Sequence, residues 1–182
     1  MINTHKPQLT LLQQRILRLL FVKAGSSLNQ RRIAQLLDVS SPAVSKALPD
    51  LEKVGFAIVE QDKESKRWSI KLNRDNQHTM QLKRADNITQ VYESGLSEAL
   101  ENAFPGDTII LFGSFSRGDD TITSDIDLAI IGSKEKDVNL AKYEKLIGRR
   151  ITINFFGNFA AIHKNLKENL CNGIVLAGGI SL

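Results

Sequence analysis

The sequence predicts an α+β protein of two modules, a set of short helices closed by a hairpin and then a region of buried strands and helices. Three observations carry that expectation. Apolar residues recur at helical spacing in three segments before residue 56, and two strand-like runs then flank a polar tip at 62–67. Beyond residue 105, nearly continuous apolar runs bounded by glycine and aspartate replace the helical period.

In the first module, Leu9, Leu12, Ile16, Leu19 and Leu20 share a face, with Gln13, Gln14, Arg15 and Arg18 opposite. That is an amphipathic helix, ending near Gly25. Residues 29–38 place Ile33, Leu36 and Leu37 on one side and Arg31, Arg32 and Gln35 on another, which is a second helix. Ser41-Pro42 reads as an N-cap followed by proline at the first helical position, and Val44, Ala47, Leu48, Leu51 and Val54 form the buried stripe of a third. Pro49 inside it removes a backbone donor at a cost of ~3 kcal/mol, so a kink is expected there. Residues 56–59 and 68–72 pair as a hairpin.

The second module follows a polar stretch, 73–87, that reads as a linker. Ile88, Val91, Tyr92, Leu96 and Leu100 are spaced as one helical face, and Pro105-Gly106-Asp107 stops that helix. Strands are expected at 108–112, 126–131 and 151–156, and helices at 138–147 and 159–170. The resulting division is 1–72, 73–87 and 88–182.

Composition narrows the class. With 42% apolar and 24% charged residues the chain is that of a globular protein able to bury a core in each half. Cys171 is its only cysteine, which excludes a disulfide framework and reads as buried packing. No run approaches ~18 apolar residues and the N-terminus has no clean apolar segment, so a cytoplasmic protein that does not engage a membrane is expected. Residues 1–72 carry 12 Lys+Arg against 6 Asp+Glu, and residues 73–182 carry 12 against 14, giving +6 in front and −2 behind. The basic excess of the first module is the footprint of a phosphate-backbone binder.

The chemistry concentrates after the 108–112 strand, in Gly113-Ser114-Phe115-Ser116-Arg117-Gly118 and then Ser124-Asp125-Ile126-Asp127. A glycine after a strand lets backbone approach an anionic ligand closely, and Ser114 adds a hydroxyl. Asp125 and Asp127 are two residues apart at a strand start, so both carboxylates project from one face and can share a divalent cation. An all-oxygen donor set suits Mg²⁺ bridged to phosphates. An isolated Asp-x-Asp is usually a solvated strand end; the glycine turn upstream is what makes this one a candidate site. Asp119-Asp120 reads as solvated loop, and Arg117 either pairs with one of them or meets phosphate. Trp68 reads as a core anchor. His5, His78 and His163 lack metal-ligand spacing.

Two resemblances follow. The segments Asn29-Gln30-Arg31-Arg32-Ile33-Ala34, 39–48 and 51–56, with the hairpin after them, resemble winged helix-turn-helix DNA-binding domains. That implies base-edge contacts from Ser41, Ala43, Ser45 and Lys46 at the start of the third helix, and phosphate contacts from Lys63, Lys66 and Arg67 at the wing. It also implies a homodimer.

The block from Leu111 to Leu128 resembles the DNA polymerase beta-type nucleotidyltransferases, especially their minimal prokaryotic members. The fold so implied is a nucleotidyltransferase-type mixed sheet flanked by helices. The activity implied is transfer of a nucleoside monophosphate from a triphosphate, ATP first, bound with Mg²⁺ or Mn²⁺. By position, Gly113, Ser114 and Arg117 bind the nucleotide, and Asp125 and Asp127 hold the metal and carry catalysis. Minimal members act as antitoxins on a helical toxin-type partner protein, which such a chain resembles in role. The fusion of both modules resembles a group of archaeal proteins.

One departure stands out. The family supplies a third carboxylate from a later strand, and Ile151-Thr152-Ile153-Asn154-Phe155-Phe156 contains none. Thr152 or Asn154 takes its place, and neither can be a carboxylate base. Asp137 and Glu144 are not favoured by spacing. Two other readings therefore stand beside the enzyme: a transcription regulator whose degenerate nucleotidyltransferase domain senses or dimerises, and a winged helix that binds protein.

Overall fold

A computed structural model of the chain describes residues 9–61 and 67–180, in two compact units, Met1–Met80 and Gln81–Leu182. The architecture is α+β, with a helical unit closed by a hairpin and a second unit built on a mixed sheet with helices.

In the first unit, α1 (Leu11–Val22), α2 (Gln30–Leu37) and α3 (Ser41–Lys53) precede β1 (Ala57–Gln61) and β2 (Trp68–Leu72). Side-chain caps set the helix starts. Thr10 and Gln13 form a reciprocal capping box on α1, Asn29 accepts from the Arg32 amide at 2.8 Å, and Ser40 accepts from the Ala43 amide at 3.3 Å. Each such cap is worth about 1 kcal/mol. The cap of α3 is thus Ser40, not Ser41, which moves Ser41 and Pro42 into the first turn. Gln13, expected on the polar face, is buried, because it closes the box and also donates to Asp50 Oδ2 at 2.8 Å.

Only residues 38–40 separate α2 from α3, and Asp38 turns the chain with φ +52°. Both α1 and α2 pack on α3, burying Ile16, Leu20, Ile33, Val44, Leu48 and Leu51. Pro49 does not end α3. It lies on the exposed face, as does Ser45, whose carbonyl it deprives of a donor. β1 and β2 pair antiparallel from Ala57↔Leu72 to Gln61↔Trp68, and Leu28 bridges Ile70 from the other side. Trp68 is 39% exposed and is no core anchor; Phe56 and Ile70 fill that role at 0%.

The unit boundary falls within α4 (Gln77–Glu93), so the stretch expected as a linker is largely helical. Gly95, with φ +77°, breaks the expected single helix and starts α5 (Leu96–Ala103). Then come β3 (Thr108–Phe112), α6 (Gly113–Arg117), β4 (Ile126–Ile131), α7 (Ala141–Ile147), β5 (Ile151–Phe156), α8 (Lys164–Cys171) and β6 (Ile174–Ala177). The sheet order is β5-β4-β3-β6, with β4–β5 parallel and the other pairs antiparallel.

Alternation divides the sheet's apolar residues between two cores. Ile109, Leu111, Ile126, Leu128, Ile130 and Ile151 pack with Val91, Leu96 and Leu100, while Ile110, Phe112, Ala129 and Ile131 pack with Phe159, Ile162 and Leu170. Cys171 is exposed at the end of α8. Among the described residues no helix is long and apolar enough to cross a membrane.

Candidate functional site

The candidate residues meet where β3 ends beside the start of β4. Antiparallel register sets Phe112 opposite Asp127, so the turn after Phe112 begins directly alongside the Asp127 carboxylate. Gly113 enters that turn with φ +73°, and a Cβ on it would collide with the Asp127 side chain, 3.0 Å from Cγ and 3.2 Å from Cβ. Glycine is required here twice over, for conformation and for space. The turn is tied by Ser116 Oγ donating to the Gly113 carbonyl at 2.9 Å and by the Asp119 amide donating to the Ser114 carbonyl at 3.1 Å.

Asp125 and Asp127 are both half-buried. Burial raises the proton affinity of Asp127, the nearby Asp125 charge raises it further, and Arg117 opposes both. Two carboxylates held within each other's field with a guanidinium near by leave concentrated negative charge that a divalent cation relieves. Arg117 also pairs with Asp119, Nε to Oδ2 at 3.2 Å, with both side chains about half exposed, so that pair constrains it weakly.

Parallel pairing decides what stands in the position of a third carboxylate. Thr152 is in register with Asp127, whereas Asn154 lies opposite Ala129 and donates to the Leu128 carbonyl at 3.4 Å. Among the described residues no group of three or more His, Cys, Asp or Glu is placed to hold a metal. Glu144 is engaged elsewhere, accepting from the Ile151 amide at 2.9 Å, and Asp137 is exposed. A cavity of ≈ 440 Å³ lined by Glu144, Gly148, Arg149 and Arg150 opens near this end of the sheet, where the Ile126 amide donates to the Arg150 carbonyl at 2.8 Å.

Asp120 is not solvated loop. It is 1% exposed and pairs with the ammonium of Lys83, with Asn87 Nδ2 at 2.7 Å and with Arg149 Nη2 at 3.7 Å. Lys83, Asn87 and Arg149 are buried too. In the sequence Lys83 and Asn87 sit in a polar stretch with no feature to separate them from surface residues.

On α3, Ser41, Ser45 and Lys46 are exposed and Ala43 is half-buried, all off the stripe of Val44, Ala47, Leu48 and Leu51. Arg67 is exposed just before β2, while Lys63 and Lys66 lie outside the described residues.

No curated protein matches the chain. Among solved structures, the Staphylococcus aureus MepR–DNA complex is 24% identical over 52% of this chain and 81% of that one, with a TM-score of 0.37. MepR, a transcription regulator of the S. aureus multidrug efflux pump MepA, is 26% identical over 53% of this chain and 72% of that one, with a TM-score of 0.39. Likeness this loose transfers neither fold nor function. The family model of the nucleotidyltransferase domain, by contrast, matches residues 93–169, a span that holds Gly113, Ser114, Arg117, Asp125, Asp127 and Thr152.

Proposed function

We propose that this chain is a DNA-binding nucleotidyltransferase that transfers a nucleoside monophosphate from a metal-bound triphosphate, ATP first, to an acceptor still to be identified. The observation that carries the reading is the packing of Gly113 against Asp127, inside the span matched by the nucleotidyltransferase domain. It brings the glycine turn and the carboxylate pair side by side, which supports a phosphate site next to a cation site. Asp125 and Asp127 fit a divalent cation by their chemistry, and Asp127 in particular holds charge at a cost that a cation removes. Such a cation, Mg²⁺ or Mn²⁺, supplies charge neutralisation of the triphosphate and of the leaving pyrophosphate. The chain's own residues bind and orient: the turn 113–117 receives the phosphates, and Arg117 adds positive charge at its rim.

The first unit supports a DNA-binding role through its +6 charge balance and the exposed Ser41, Ser45 and Lys46 at the start of α3. A homodimer and a helical toxin-type partner belong to the same reading and rest on the sequence resemblances alone.

Calorimetric titration of ATP into the full chain, with and without Mg²⁺, tests the reading without knowledge of the acceptor. Metal-dependent binding that disappears in Asp125→Ala/Asp127→Ala is expected. No binding to the wild type sinks the enzyme.

A second reading, a regulator on a degenerate nucleotidyltransferase domain, is favoured by Thr152 standing in register with Asp127 where a carboxylate base is needed. Salt-sensitive operator binding with no nucleotide transfer under any metal would select it.

A further inference from the structure

We propose that one side of α4, presented by Lys83, Arg84 and Asn87, is the positioning element of the nucleotide turn, fixing residues 113–118 so that a triphosphate bound there lies in register with Asp125 and Asp127. The inference rests on the nucleotidyltransferase reading and assigns it residues that precede the span matched by that domain, which begins at residue 93.

Two residues of the helix grip consecutive carbonyls of the turn, and a third holds Asp120 just beyond it. Asn87 Nδ2 donates to the Phe115 carbonyl at 2.9 Å and to Asp120 Oδ1 at 2.7 Å. Arg84 Nε donates to the Ser116 carbonyl at 2.9 Å, and the Lys83 ammonium pairs with the Asp120 carboxylate. Between these points the two backbones touch: a Cβ on Gly118 would lie 2.8 Å from Arg84 Cβ and 2.9 Å from its backbone nitrogen. The carbonyl side of the turn is therefore clamped by α4, while Gly113, at its other end, packs on Asp127.

The turn needs such a clamp. α6 has five residues and no side-chain cap, far short of a helix that holds its own geometry. The clamp is also poorly explained as a source of stability alone. Lys83 and Asp120 are 0% and 1% exposed, and a buried ion pair of this kind is commonly matched or surpassed by apolar packing of the same volume. What polar contacts supply that apolar ones do not is a fixed register of donor and acceptor, and phosphate placement depends on register.

The test uses the full chain with Asn87→Leu, Arg84→Met and Arg84→Lys. Arg84 is exposed, so its variants fold even if the loss of buried Asn87 proves too disruptive. Calorimetry gives the Mg²⁺-ATP affinity, and electron paramagnetic resonance gives the affinity for Mn²⁺ alone. Asn87→Leu is expected to weaken Mg²⁺-ATP by about tenfold or more and Arg84→Met by a smaller factor, with Arg84→Lys recovering part of it. Mn²⁺ affinity stays within about twofold throughout, because the carboxylates are untouched.

Folded Arg84→Met that binds Mg²⁺-ATP as the wild type does overturns the proposal. So does a parallel loss of Mn²⁺ and ATP, which marks general damage to the site. A wild type that binds no nucleotide removes the nucleotidyltransferase reading and this inference with it, whereas a binding wild type with unaffected variants removes the inference alone.

Discussion

Substitution of Gly113 by alanine separates the two demands placed on that residue. With φ +73° the new side chain enters the left-handed region, which costs about 1–2 kcal/mol. The added Cβ also overlaps the Asp127 side chain, and forcing that carboxylate off its rotamer costs about 0.5–1.5 kcal/mol more. Gly95 is the control: its φ is +77° and a Cβ there meets nothing within 4 Å. Both variants carry the backbone penalty, and only Gly113→Ala carries the collision. Urea denaturation followed by circular dichroism should rank Gly95→Ala about 1–2 kcal/mol below the wild type and Gly113→Ala lower still, by about the rotamer term. Calorimetry should show Mg²⁺-ATP binding kept in Gly95→Ala and lost in Gly113→Ala. Equal stability and equal nucleotide binding in the two variants would refute the proposed contact between turn and carboxylate.

Two further outcomes are expected. Burial and Asp125 raise the proton affinity of Asp127, so the ionised carboxylate disfavours the folded state. The contribution of its protonated form is present at low pH and lost as pH rises through the raised value. Asp127→Asn should therefore raise the metal-free melting temperature at neutral pH and abolish metal-dependent nucleotide binding, with the stability gain shrinking on acidification; a lower melting temperature at neutral pH contradicts this. The logarithm of DNA affinity should fall linearly with the logarithm of salt, by about 0.9 log units per tenfold salt for each phosphate contacted, and Arg67→Ala should reduce that slope by about one contact in fluorescence anisotropy. Binding insensitive to salt points instead to a protein ligand for the first unit.

Periodicity and local chemistry made much of the fold legible in the sequence. The strands at 126–131 and 151–156 are bounded as expected, because short runs rich in isoleucine and other strand-favouring residues between turn signals read as strands. The Gly-Ser and Asp-x-Asp pair, local in sequence, was visible as a candidate site for the same reason. Other features depend on partners distant in the chain. β6 carries a weak four-residue pattern and is a strand because β3 offers it an edge. Gln13 is buried because Asp50 lies across from it, and Asp120 because Lys83, Asn87 and Arg149 surround it. A polar residue in a sequence reads as solvated until the groups that replace its water are known. The sequence by itself determined which residues could form the strands, the helices and the carboxylate pair. Tertiary structure alone decided that Thr152 rather than Asn154 stands beside Asp127, since strand register arises from the pairing of two segments and is written in neither one.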